Sequence, residues 1–194
     1  MTDIRSLCVL CGSREGTDPA HRAAAIRLGT LLAERGVRLV YGGGSIGLMG
    51  TIADAVINAG GEVVGVIPKF LIRSEIGHRR LTELVVTSSM HDRKRRMFDM
   101  ADAFVVLPGG LGTLDETFEI ITWKQLRLHQ APIIVLDVNG YWAPLSALIA
   151  ATISGGFAAA AVADLISVVE TPEQVFDVLA SAPPSREEAL SNQL

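Results

Sequence analysis

The sequence predicts a single α/β domain in which a parallel sheet carries helices on both faces. Short apolar runs rich in Val, Ile and Leu alternate with longer helical segments, and this alternation specifies parallel strands joined by crossover helices. Glycines punctuate the segment ends, as helix caps and turns require. No internal repeat breaks the pattern, and 194 residues with 49% hydrophobic content suffice for one sizeable core.

Taken in order, a first strand from Ser6 to Leu10 is followed by a helix from Pro19 to Arg35 that Gly36 closes. The second strand, Arg38 to Tyr41, runs into a glycine-rich stretch, and a helix from Ile46 to Ala59 ends at Gly60 and Gly61. Glu62 to Ile67 and Glu83 to Val86 read as the third and fourth strands. A helix from Ser89 to Met100 leads into a fifth strand, Ala103 to Leu107, and a helix from Thr113 to Leu128 into a sixth, Ile133 to Asp137. Gly140 marks the turn before a helix from Trp142 to Ile153. The last strand, Leu165 to Val168, precedes a helix from Pro172 to Ala180. The domain is expected over residues 1–182, with a flexible tail over 183–194 that begins at Pro183-Pro184. The loops after Leu10, Tyr41, Val86 and Leu107 all follow carboxyl ends of strands, which in an open parallel sheet share the edge where ligands bind.

Three of these junctions carry chemistry. Leu107-Pro-Gly-Gly-Leu-Gly-Thr-Leu-Asp-Glu116 joins a strand to a helix through Gly109, Gly110 and Gly112. Backbone N-H groups there can approach an anion without side-chain obstruction, and the helix start at Thr113 adds the positive end of its dipole. A phosphate suits the junction, whereas a second anion beside it does not. Glu116 therefore either does chemistry next to the phosphate or caps its helix as the last member of a Thr113-x-x-Glu116 capping box.

The second junction, Gly42-Gly-Gly-Ser-Ile-Gly-Leu-Met-Gly50, fits G-x-G-x-x-G at Gly42, Gly44 and Gly47. A dinucleotide site also needs an acid near the end of the following strand, and Glu62 instead opens that strand. Neither glycine loop continues into the Gly-Lys-Ser/Thr of a Walker A loop.

The third, Ser88-Ser-Met-His-Asp-Arg-Lys-Arg-Arg-Met97, reads as a helix capped by Ser89 with four cations near its start. Cations are disfavoured there by about 0.3–1 kcal/mol each, so a nearby anion would account for them. Arg93 and Lys94 flank the apolar stripe through Met90 and Met97 and are expected to face a cleft; Arg95, Arg96 and His91 are expected at the surface.

A net charge of -4 argues against a nucleic-acid-coating surface and for a small ligand. Cys8 and Cys11 form a lone C-x-x-C with no second pair to complete a zinc set, and read as reduced thiols. No secretory signal and no apolar stretch long enough to span a membrane appear, so a cytoplasmic protein is expected.

Together, Cys11-Gly-Ser13, Val40-Tyr-Gly-Gly-Gly-Ser-Ile-Gly-Leu-Met-Gly50, Gly65-Val-Ile-Pro68, Met90-His-Asp-Arg-Lys94, Pro108-Gly-Gly-Leu-Gly-Thr-Leu-Asp-Glu116 and Ile121-Thr-Trp123 resemble the LONELY GUY family over about Ile4 to Glu170. Its members are cytokinin riboside 5'-monophosphate phosphoribohydrolases, often mislabelled as lysine decarboxylases. The resemblance implies a Rossmann-like doubly wound sheet, a homodimer, no cofactor and no metal. The implied reaction is hydrolysis of an N6-substituted AMP to free base and ribose 5-phosphate. By the same resemblance Arg93 and Glu116 are the catalytic pair, and Glu75, Lys94, Gly110, Leu111, Gly112, Thr113, Leu114, Asp115 and Thr122 line the nucleotide site.

Leu111 stands where many relatives have an aromatic residue, Asp115 where a second glutamate is usual, and Arg127-Leu128 where Gly-Ile is common. On the helix after Thr113, Phe118 and Ile121 are expected to face the sheet, while Ile120, Trp123 and Leu126 extend the apolar arc towards a second copy. Two other functions fit parts of the pattern. A pyridoxal-phosphate decarboxylase would need one of Lys69, Lys94 and Lys124 as its Schiff base, and none has a convincing setting. A carrier similar to the molybdenum-cofactor carrier proteins would keep the glycine loop but has no need for both Arg93 and Glu116.

Overall fold

The apolar runs form strands β1 (Ser6–Leu10), β2 (Arg38–Tyr41), β3 (Val63–Pro68), β4 (Glu83–Thr87), β5 (Ala103–Val106), β6 (Ile133–Leu136) and β7 (Ser167–Val169). Between them lie α1 (Pro19–Glu34), α2 (Gly47–Asn58), α3 (Met90–Asp99), α4 (Leu111–Gln125), α5 (Ala143–Ser154) and α6 (Pro172–Ser181). These elements come from a computed structural model that describes residues 4–72, 78 and 80–182; Glu75 and the tail expected at 183–194 lie outside the described residues.

The strands pair in the order β4-β3-β2-β1-β5-β6-β7, every pair parallel, as the alternation predicts. Side chains of successive strand residues go to opposite faces, which splits the core in two. Leu7, Val9, Leu39, Tyr41, Val105 and Leu107 pack under α1, α2 and α6, whereas Cys8, Leu10, Val40, Phe104 and Val106 pack under α3, α4 and α5. Parallel strands buried on both faces explain why these runs are continuously apolar instead of alternating. At the amino edge, the Asp102 carboxylate accepts from Arg5 N, Ser6 N and Ser6 Oγ at 2.8–2.9 Å and ties the start of β1 to β5.

The structure differs from the sequence expectation at both ends of α4, which stops at Gln125 instead of Leu128, at the start of β7 and on the apolar face of α4. Helix α4 begins at Leu111 with Gly110 as its N-cap, two residues ahead of the expected start, because the glycine needs no side-chain cap to turn the backbone. Leu165 ends a 3-10 turn over Ala160–Leu165, so β7 starts at Ser167, where pairing with Ile134 begins. Ile120 is buried at 5% exposure against the sheet and Trp123 packs edge-on against Phe98 at 4.9 Å, which leaves Leu126, at 63% exposure, as the outward apolar residue of the expected three. Among the described residues no helix is long and apolar enough to cross a membrane.

Candidate active site

From β1 the chain winds one way through β2, β3 and β4, then crosses back to place β5 on the other side of β1. Carboxyl-end loops diverge at such a reversal and leave a crevice. The backbones of the two loops touch, with Gly12 N donating to Pro108 O at 3.0 Å. A cavity of about 550 Å³ opens above them, lined by the loop after β1, by Gly42 and Met49, by Arg93, by residues 108–113 and by Glu116. That volume is in the range of sites that hold a small organic ligand.

One wall is the glycine junction. Because α4 starts at Leu111, the N-H groups of its first turn have no intrahelical acceptor and are available to an anion. A Cβ on Gly110 or Gly112 would meet nothing within 4 Å, so these positions are open towards a ligand and not constrained by packing. Gly109 differs: a Cβ there would lie 2.1 Å from Thr113 Oγ1. Thr113 is buried inside the first turn and Thr117 Oγ1 donates to its carbonyl at 2.6 Å, so Thr113 is not a cap. Of the two alternatives for Glu116, the capping box with Thr113 does not form, since the chain is already helical two residues earlier. Glu116 sits in the second turn of α4 with a side chain only 12% exposed.

Facing it is Arg93. Ser89 Oγ accepts from Asp92 N at 3.1 Å and starts α3 as its sequence predicts, which aims Arg93 at the sheet's carboxyl edge. There its Nε donates to Val66 O at the end of β3 and its Nη2 to Gly42 O after β2, both at 3.1 Å. Hydrogen bonds from a charged donor are worth about 1.5–3 kcal/mol each, enough to offset much of the cost of burying the guanidinium. The third nitrogen, Nη1, lies 3.7 Å from Glu116 Oε1, a Coulombic contact too long for a hydrogen bond. A Cβ on Gly42 would stand 2.0 Å from Arg93 Nη2, so any side chain there would push the guanidinium from this position. What reads in the sequence as the opening of a dinucleotide fingerprint thus serves here as the seat of an arginine.

Of the residues the resemblance assigns to the site, Arg93, Glu116, Gly110, Leu111, Gly112 and Thr113 line this cavity. Lys94 does not: its ammonium is held by Asp115 Oδ2 at 3.1 Å and Glu119 Oε2 at 3.0 Å in the α3-α4 seam, its side chain 16% exposed. Burial alone would lower the Lys94 pKa, but the hydrogen bonds it donates to Glu119 and Asp115 outweigh it and hold the group above its ordinary value. Asp115 and Thr122 are exposed on the outward face of α4, and Leu114 packs partly buried against the core. Arg95, Arg96 and His91 are exposed as expected. Cys8 and Cys11 pack on opposite faces of the sheet and are not disulfide-bonded. Burial, with the charge of Glu116 added, pushes the Cys8 thiol well up, which keeps it protonated and inert.

Sequence reasoning missed the opposite wall, where His21 and Tyr141 line the cavity. Both were reachable by the same edge argument, since His21 lies in the first turn of the helix after the β1 loop and Tyr141 in the turn after β6.

A protein of Oryza sativa subsp. japonica named cytokinin riboside 5'-monophosphate phosphoribohydrolase LOG is 44% identical over 184 residues, which are 95% of this chain and 71% of that one. The chain belongs to the LONELY GUY family. An Arabidopsis thaliana member with the same activity in its name is 41% identical over 98% of this chain and 89% of its own length. A family model described as "Possible lysine decarboxylase" matches residues 49–179. Among solved structures, the molybdenum cofactor binding protein of Rippkaea orientalis superposes with a TM-score of 0.70 at 23% identity, covering 91% of this chain and 95% of that one. The carrier from Chlamydomonas reinhardtii gives 0.68 at 18%, over 91% and 96%. At these identities the likeness is one of fold. The decarboxylase description does not fit this member of the LONELY GUY family, because none of Lys69, Lys94 and Lys124 lines the cavity where a Schiff base would have to form.

Proposed function

We propose that this protein hydrolyses the N-glycosidic bond of N6-substituted AMP, releasing the adenine-type base and ribose 5-phosphate. The observation that carries the reading is a little-exposed carboxylate, Glu116, set one helical turn beyond an anion-binding glycine junction and opposite a buried arginine. A carrier of a phosphorylated ligand would need the junction but not the pair.

In this reaction the bond from C1' to the base breaks with its electron pair leaving on the base, and the ribosyl group takes on oxocarbenium character. Glu116 stabilises that positive charge, and its carboxylate accepts a proton from the water that adds at C1', to be returned to the departing base. Arg93, fixed by two strand-end carbonyls, holds a positive charge 3.7 Å from the carboxylate. The N-H groups after Gly109 hold the 5'-phosphate and so place the sugar within reach of the carboxylate.

Remote binding energy at the phosphate is used to orient the reacting sugar, so truncated substrates lose turnover as well as affinity. Incubation with AMP or isopentenyl-AMP is expected to release free base, while the matching nucleosides fail. Comparable kcat/KM for a nucleoside and its monophosphate would contradict the reading.

We assign the outward face of α4 to contact with a second copy of the chain. Leu126 and Leu128 are 63% and 67% exposed on its continuation, apolar side chains that a homodimer would cover. Sedimentation at micromolar concentration is expected to show a dimer; a lone 20.6 kDa species would rule this out.

A further inference from the structure

We propose that Tyr141 is a positioning residue for the anion junction, one that sets the direction of the first phosphate-binding N-H; the inference rests on the function proposed above. The peptide between Gly109 and Gly110 is the part of the junction most easily rotated, because neither residue has a side chain to restrict it. In a trans peptide the carbonyl and the following N-H point in opposite directions, so whatever holds the Gly109 carbonyl also aims the Gly110 N-H. Tyr141 holds it: its hydroxyl donates to Gly109 O at 2.6 Å. Gly110 is the N-cap of α4, and its N-H stands at the head of the donor set of that helix.

The tyrosine is itself fixed from several sides. Its ring meets His21 edge-on at 5.1 Å and Trp142 at 4.9 Å. The turn that carries it, with Asn139 in the left-handed region at φ 55°, is tied down where Asn139 Nδ2 donates to Asp18 Oδ2 at 2.9 Å and Trp142 N donates to Asp137 Oδ1 at 2.6 Å. Asp18 is also the N-cap of α1, so the anchor reaches the helix that presents His21 to the cavity. A peptide without side chains of its own thus hangs from a fixed support, which is the arrangement a preorganised anion site requires.

Tyr141→Phe removes the hydroxyl and keeps both ring contacts, so the protein should fold. KM for isopentenyl-AMP is expected to rise about 5- to 10-fold, the size expected for one lost hydrogen bond. The inhibition constants of inorganic phosphate and ribose 5-phosphate should rise by the same factor, with inhibition by free adenine unchanged. Unaltered phosphate and ribose 5-phosphate inhibition, or equal weakening of adenine and phosphate ligands, would overturn the assignment while leaving the proposed function intact. A wild-type protein indifferent to the 5'-phosphate would overturn both.

Discussion

Glu116→Gln is expected to lower kcat by at least about 100-fold while leaving the fold and AMP binding intact. The substitution is nearly isosteric and removes only charge. Glutamine can fill a capping box as well as glutamate can, so a capping role would predict little change, but here the N-cap position of α4 is Gly110 and Glu116 lies in the second turn. Its remaining roles, facing a ribosyl cation and taking a proton from water, both require the anion. Circular dichroism and AMP titration should match wild type, and near-normal kcat in such a folded protein would remove Glu116 from the chemistry.

Arg93→Ala should be as damaging to turnover, and for two separable reasons. It leaves Glu116 without its counter-charge at 3.7 Å, and it strips the carbonyls of Val66 and Gly42 of their donor. Each buried carbonyl left unpaired costs about 1–3 kcal/mol, so a lowered Tm is expected alongside the lost activity. Arg93→Lys separates the two. An ammonium restores the charge but cannot span both carbonyls and Glu116 with a planar fork, so activity should stay at least about tenfold down. Full activity in Arg93→Lys would mean that charge alone suffices and that the fork geometry is incidental.

The strands were legible because burial on both faces makes each a continuous apolar run, and the alternation with helices then fixes a parallel sheet. The cavity's position followed, since strand-to-glycine junctions fall at carboxyl ends. Less could be read where residues far apart in the chain meet. That Gly42 accommodates Arg93 depends on a contact across 51 positions, and no local pattern announces it. The start of α4 was misjudged because Thr113 and Glu116 carry the spacing of a capping box whether or not they form one. Lys94 shows the limit of spacing arguments on a helix: adjacent to Arg93, it turns by about 100° to the neighbouring seam and meets Asp115 and Glu119 instead of the cavity. Leu114, Asp115 and Thr122 likewise follow the helical turn away from it. His21 and Tyr141 were missed because neither sits in a glycine-rich motif.

We propose that Glu116 and Arg93 cleave a nucleotide between its base and its sugar, and a product balance on isopentenyl-AMP, with the wild-type protein and Glu116→Gln in parallel, decides it. Wild type is expected to release free N6-isopentenyladenine and ribose 5-phosphate in equal amounts, and the variant to bind the nucleotide with little release of either. Nucleotide that is bound but returned intact by the wild-type protein would contradict the account and leave a carrier in its place.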